Sequence, residues 1–176
     1  MFGKEQAPAA ELRKLFWKEL GSSPFVMLGL QGVEDSRTRP MTAQIDVPEG
    51  GDKDDGGPIY FFASKSESLV KDIGTGHRAV ATYAAKGHDL FAHLHGTLAL
   101  DEDRAIIERL WSPVVASWYK DGKDDPDLAL IRFDTDEANL WKAEAGATLK
   151  AAVMKAIFDK DPGEQQQKDN RADVRL

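Results

Sequence analysis

Two stretches of this chain combine residue types that could hold a flat, anionic ligand. The first is Arg39, Pro40, Met41 and Thr42. Proline cannot donate to a sheet ladder, so a proline inside a strand implies an edge or a bulge. Backbone N–H and C=O groups freed from pairing there could recognise the rim of a flat heterocycle. Arg37 and Arg39 alternate onto one face and offer two cations to an anion. Read alone, the plainer interpretation is a surface edge strand with solvated arginines. The second stretch runs from Phe61 and Phe62 through Ala63, Ser64, Lys65, Ser66 and Glu67 to Ser68. A strand end, a hydroxyl-rich turn and a helix start would make a phosphate cradle, with Lys65 supplying charge. The plainer interpretation here is a helix cap, with Ser64 or Ser66 as N-cap and Glu67 nearby. Taken together, a phosphate site beside an open strand edge and aromatic surface meets the requirements of a mononucleotide.

Other candidates carry less. His93 and His95 are two apart on one strand face with His88 close in sequence, but zinc needs three or four ligands at fixed reach and no such spacing is present. They read as sheet-surface or interface histidines. Asp52, Asp54 and Asp55 open like a calcium loop, yet position 56 is glycine and the twelfth position is Ala63, which has no carboxylate. Neither a phosphate-binding glycine loop nor a nucleophile elbow occurs. Trp111 and Trp118 lie seven apart, a spacing typical of core or interface positions, with one free to stack on a flat ligand.

The elements that must position these residues follow from periodicity. Residues 9–20 set Leu12, Leu15, Phe16 and Leu20 on one helical stripe, an amphipathic lid helix. Residues 25–30 read as a buried strand and 37–45 as its returning partner. The Gly-, Asp- and Pro-rich stretch 46–58 is a loop, and 59–63 a third strand. A short helix ends at Ile73, strands cover 79–85 and 90–100, and Gly96 marks a bulge. Residues 101–110 form a helix capped by Asp101, and Pro113 restarts a second helical piece. Strands at 128–133 and 138–141 and a helix at 148–158 complete one domain over residues 1–160. Residues 161–176 read as a polar, mobile tail. Strands follow strands with single helices inserted, which favours an antiparallel barrel over a parallel doubly wound sheet.

Composition narrows the function. The 176 residues include 23 basic and 30 acidic side chains, a net charge of −7 that disfavours holding nucleic acid by charge. There is no cysteine, which removes disulfides, thiolate metal sites and cysteine nucleophiles. No apolar run reaches the length of a membrane span, and no export signal is visible. The expectation is a cytoplasmic protein with neither membrane nor nucleic-acid partner.

In their order and spacing, the stretches at 39–42, 59–65, 78–83, 110–119 and 124–132 resemble the general-stress branch of the pyridoxamine-phosphate-oxidase-like flavoproteins. The likeness runs from about residue 9 to about residue 141. It implies a mainly β fold: a six- or seven-stranded antiparallel split barrel with flanking helices, forming a homodimer with flavin at the interface. It implies FMN as cofactor, with FAD as the alternative. On that likeness Arg39, Pro40, Met41 and Thr42 run along the flavin ring. Phe62, Ala63, Ser64 and Lys65 hold the ribityl chain and phosphate, and Trp118 approaches the ring. Where relatives often carry a basic residue near the start of the next helix, this chain has Ser68 and Leu69, so Lys65, Lys71 or Arg78 must supply that charge. The substrate motif of true pyridoxamine-phosphate oxidases is missing after Trp141, so that oxidation is not expected. The implied activity is a low-turnover oxidoreduction with NAD(P)H as donor, and no catalytic acid or base is assigned. The alternatives are a non-catalytic flavin-binding or flavin-sequestering protein and an interaction dimer without flavin.

Overall fold

The computed structural model describes residues 6–33, 38–47, 50–52, 56–143 and 171–176. Arg37 and the helix expected at 148–158 lie outside them. Among the described residues, eight strands form one antiparallel sheet: β1 (Phe25–Leu30), β2 (Arg39–Thr42), β3 (Gln44–Ile45), β4 (Ile59–Ser64), β5 (His77–Ala84), β6 (Leu90–Leu100), β7 (Leu128–Lys142) and β8 (Arg171–Val174). Neighbours run β2-β1-β5-β6-β7-β4-β3, and β8 joins β7 from outside this path. The two ends of the path are one stretch of chain. β2 pairs with β1 (Met27 opposite Pro40), and after one residue β3 pairs with β4 (Gln44 opposite Tyr60). The hinge is Ala43, which is buried and whose N–H donates to the Pro24 carbonyl at 2.7 Å. The expected returning strand at 37–45 is therefore a single strand that changes partner midway. That change bends the sheet into a nearly closed barrel, the split barrel expected from the sequence.

Alternation sets two cores. Along β4, Ile59, Phe61 and Ala63 face the barrel interior, while Tyr60 and Phe62 face outward. The interior core is closed by helix α1 (Gln6–Ser22), which buries Leu12, Phe16 and Leu20 as its stripe predicts, and also Trp17. Phe16 meets Trp17 and Tyr83 edge-on, at ring separations of 5.2 and 5.9 Å. The outer core lies between β4, β7 and two short helices. Helix α2 (Ser68–Ile73) sits between β4 and β5 in the chain; α3 (Arg104–Leu110) and α4 (Pro113–Ala116) follow β6. Ile106, Ile107, Leu110, Val115 and Tyr119 pack there on Tyr60, Leu128 and Leu130.

Three local readings change. The α3 cap is Asp103, whose carboxylate accepts from the Ala105 N–H at 2.8 Å; Asp101 instead accepts from the Asp103 N–H, two residues earlier. The two strands expected at 128–133 and 138–141 are one continuous strand, β7. Within the stretch read as a polar tail, Arg171–Val174 form β8 on β7. Gly96 does mark an irregularity: the β6–β7 register shifts between His95 and Gly96. A Cβ there would sit 2.3 Å from the Asp134 carbonyl oxygen, so only glycine allows β7 to approach this closely.

Candidate functional site

The split in the barrel opens onto a cavity of about 270 Å³. One side is the end strand of the sheet, with Pro40, Met41, Thr42 and Gln44; the other is the end of β4, with Phe62, Ala63 and Ser64. Glu67 and the α4 segment, with Val114, Val115, Trp118 and Tyr119, form the outer wall. Proline is tolerated in β2 because that strand ends the path and is laddered only to β1. The α4 wall is placed by Ser112, whose hydroxyl accepts from the Val115 N–H at 3.2 Å with Pro113 at the first helical position. Behind it, Trp111 meets Phe62 edge-on at 5.9 Å and lies 6.1 Å from the Tyr119 ring. At the mouth, Val114 is 69% and Trp118 80% exposed. The rim of the cavity therefore carries large exposed apolar side chains.

The structure thus brings Pro40, Met41, Thr42, Phe62, Ala63, Ser64 and Trp118 around one cavity. It distributes the expected cations differently. Arg39 stands beside the cavity, donating to the Glu67 carboxylate at 3.0 Å and to the Ser68 hydroxyl at 3.2 Å. Lys65 lines a neighbouring cavity with Asp101, Arg104 and Lys123. Lys71 is on the last turn of α2, exposed and outside the lining. Arg78, on β5, is held by Asp136 of β7 at 2.8 Å and is outside the lining.

The hydroxyl-rich turn is also differently employed. Asp127 folds back on it: its side chain accepts from the Ser66 N–H at 2.9 Å and the Ser66 hydroxyl at 3.3 Å, while its backbone carbonyl accepts from the Lys65 N–H at 2.7 Å. The Glu67 N–H donates to the Ser64 carbonyl. The turn donors expected for a phosphate are therefore already engaged. Hydrogen bonding from Ser64 and Ser66, aided by the charge of Lys65, holds the Asp127 carboxyl below the usual carboxylate range. Helix α2 begins after Glu67, which makes no side-chain cap, so neither Ser64 nor Ser66 is its N-cap.

The sequence reading passed over Glu67 as a ligand-facing group, and over Gln44, Val114, Val115 and Tyr119. Pro113 and the spacing of Trp111 and Trp118 mark the helical wall. Nothing local marks the pairing of Arg39 with Glu67, 28 residues apart. Chemically the cavity is a slot with an aromatic wall and an open strand edge. Its titratable lining groups are Glu67 and Tyr119, and burial pushes the Tyr119 phenol up to about 12, so it stays protonated. No histidine lines it, and among the described residues no cluster of three or more His, Asp or Glu could hold a metal ion.

Comparison with known proteins fits this geometry. Residues 11–162 match the family model described as pyridoxamine 5'-phosphate oxidase like. General stress protein 26 of Bacillus subtilis (strain 168) is 25% identical over 92 residues, 51% of this chain. The match covers 65% of that protein, just under two thirds of its length. The crystal structure of the general stress FMN/FAD binding protein from Xanthomonas citri is 51% identical, with a TM-score of 0.70 over 77% of this chain and 91% of that one. A protein assigned as general stress protein 26 from Jannaschia sp. CCS1 is 28% identical, with a TM-score of 0.72 over 95% of this chain and 99% of that one. Among the described residues no helix is long and apolar enough to cross a membrane.

Proposed function

The chain belongs to the pyridoxamine 5'-phosphate oxidase like family, and we propose that it uses this scaffold to hold a flavin nucleotide, FMN in preference to FAD. The observation that carries the reading is the cavity itself: an edge strand carrying Pro40 faces an aromatic wall formed by Phe62, Trp118 and Tyr119. The half-identical Xanthomonas citri protein, described as binding FMN/FAD, supports it. In this reading the open side of β2 meets the polar rim of the ring, Phe62 and Trp118 cover its faces, and Arg39 is the cation within reach of the phosphate. Lys65 and Lys71 stand further off, beyond the lining.

At about 270 Å³ the cavity is small for a whole nucleotide, since sites for drug-sized ligands span roughly 300–1,000 Å³. A second copy of the chain would complete it, and we propose a homodimer on that ground. The flavin, when bound, supplies electron transfer; the chain supplies a dry slot and fixed hydrogen bonds that tune it. With a phenol that stays protonated and a single carboxylate, Glu67, the lining offers little proton chemistry. That suits a low-turnover oxidoreductase using NAD(P)H, or a protein that stores flavin without turning it over. The absence of cysteine accords with a cytoplasmic place.

The test is the visible spectrum of the purified protein, followed by FMN and FAD titration read by fluorescence quenching. Flavin bands or saturable quenching support the reading; a colourless protein that quenches neither flavin overturns it. Anaerobic addition of NADH or NADPH then separates the two outcomes. Bleaching of the bound flavin marks the oxidoreductase, and a flavin that neither donor reduces marks the storage protein.

A further inference from the structure

The charge of the cavity runs against an anionic ligand. Among the described residues that line it, the one charged side chain is an acid, Glu67. Arg39 is outside the lining and meets the cavity through Glu67. Its guanidinium donates to the Glu67 carboxylate at 3.0 Å and to the Ser68 hydroxyl at 3.2 Å. A guanidinium presents a fixed fork of donors that suits a carboxylate or a phosphate alike. A phosphate that approached Arg39 from the cavity would find an anion already there. Glu67 is an internal stand-in for it.

The carboxylate is free to be exchanged while the backbone stays in place. The Glu67 N–H donates to the Ser64 carbonyl at 3.0 Å, and the Glu67 carbonyl accepts from the Lys71 N–H at 3.2 Å. The side chain does not cap α2, and its hydrogen-bond partner among the described residues is Arg39. Both side chains of the pair are partly exposed, so rotation of Glu67 toward solvent opens the guanidinium. The turn next to it offers no easier route. Asp127 already engages the Ser66 N–H, the Ser66 hydroxyl and the Lys65 N–H.

We propose that Glu67 sets the choice of this slot between phosphorylated and unphosphorylated flavin, lowering the advantage of FMN so that riboflavin is also a ligand. The inference rests on the flavin reading above. A phosphate monoester carries a charge of about −1.5 to −2 near neutral pH and three acceptor oxygens. A carboxylate carries −1 and two. The phosphate therefore displaces Glu67 from Arg39 but gains only the difference between the two anions, and the displaced carboxylate stays close enough to repel it. Riboflavin ends in a hydroxyl group. It leaves the Arg39–Glu67 pair intact and loses nothing by its presence. A partly exposed ion pair corresponds to about a two- to fivefold change in binding. Glu67 narrows the ratio of FMN to riboflavin affinity by that factor.

The experiment is fluorescence-quenching titration of the full chain with FMN and with riboflavin, for the wild type, Glu67→Gln, Glu67→Ala, Arg39→Ala and the Arg39→Ala/Glu67→Gln double variant, each with its fold checked by circular dichroism. A wild type that saturates with both flavins supports the inference when two further results accompany it. Glu67→Gln and Glu67→Ala widen the ratio about two- to fivefold through FMN alone, and the widening shrinks once Arg39 is gone. A merely structural Glu67 would move both flavins together, and that result overturns the inference. So does a ratio that neither Glu67 variant widens, or a wild type that binds FMN and not riboflavin; in each case the flavin reading stands. An equal widening without Arg39 overturns the exchange and leaves plain repulsion. A chain that binds neither flavin overturns the flavin reading and this inference together.

Discussion

Replacing Arg39 tests the site most directly. Its guanidinium lies beside the cavity, and its partners are Glu67 at 3.0 Å and Ser68 at 3.2 Å. A hydrogen bond to a charged group is worth about 1.5–3 kcal/mol. To reach a phosphate, Arg39 must leave or share the Glu67 pair, whose side chains are 31% and 42% exposed. Such a pair is worth at most about 1 kcal/mol. The net loss for Arg39→Ala is therefore about 0.5–3 kcal/mol, a roughly 2- to 160-fold weaker FMN dissociation constant. Stability should fall by less than about 1 kcal/mol, because only the half-exposed pair is lost. Fluorescence quenching with FMN and with riboflavin isolates the effect, since riboflavin has no phosphate and its affinity should not move. Glu67→Gln works in the opposite direction: it removes a negative charge from the cavity wall and releases Arg39, tightening FMN by about two- to fivefold. In the Arg39→Ala background only the removed repulsion remains, so the gain should shrink. Arg39→Ala within twofold of the wild type, or a larger loss from Lys65→Ala, would refute the reasoning and return the phosphate to the hydroxyl-rich turn.

Other expectations follow from single contacts. Trp118→Ala should weaken flavin binding by about 0.5–1.5 kcal/mol, the worth of one aromatic pair. It should leave the thermal midpoint nearly unchanged, because the side chain is 80% exposed; a large stability loss without a binding loss would make it a packing residue. Gly96→Ala should cost about 3 kcal/mol and lower the midpoint by roughly 6–12 °C, because its Cβ would lie 2.3 Å from the Asp134 carbonyl oxygen; an unchanged midpoint would mean that β7 yields easily. Asp46 accepts two hydrogen bonds from Arg109, at 2.9 and 2.7 Å, and that bonding holds its carboxyl below the usual carboxylate range. A depressed carboxylate stabilises the fold above its ordinary value and loses that contribution as pH falls through the folded one. Urea midpoints of the wild type should therefore decline below about pH 4 more steeply than those of Arg109→Ala, and parallel curves would remove the clamp from the account.

What the sequence discloses and what it hides divide along one physical line. Strands β1 and β4 are legible because apolar runs bounded by turn residues carry their own signal. The position of the cavity is legible too: Pro40 lacks an N–H, so its strand must lie at an edge, and the edge is where the barrel splits. The change of partner at Ala43 has no local mark, because it is set by which neighbours β1 and β4 offer on either side. The same holds for the cations. Arg39, Lys65 and Lys71 look alike in sequence as charges near a turn. What separates them is Asp127, which meets Ser66 across 61 positions and ties down the turn that carries Lys65, and Glu67, which meets Arg39 across 28. Each bond is a tertiary choice that no local pattern encodes. The strand residues of the slot, Pro40 to Thr42 and Phe62 to Ser64, lie in stretches with their own local signal and are readable. The charge that serves it is placed by partners distant in sequence, which is why Arg39 and Glu67, rather than the lysines, are the pair on which the flavin reading should be tested.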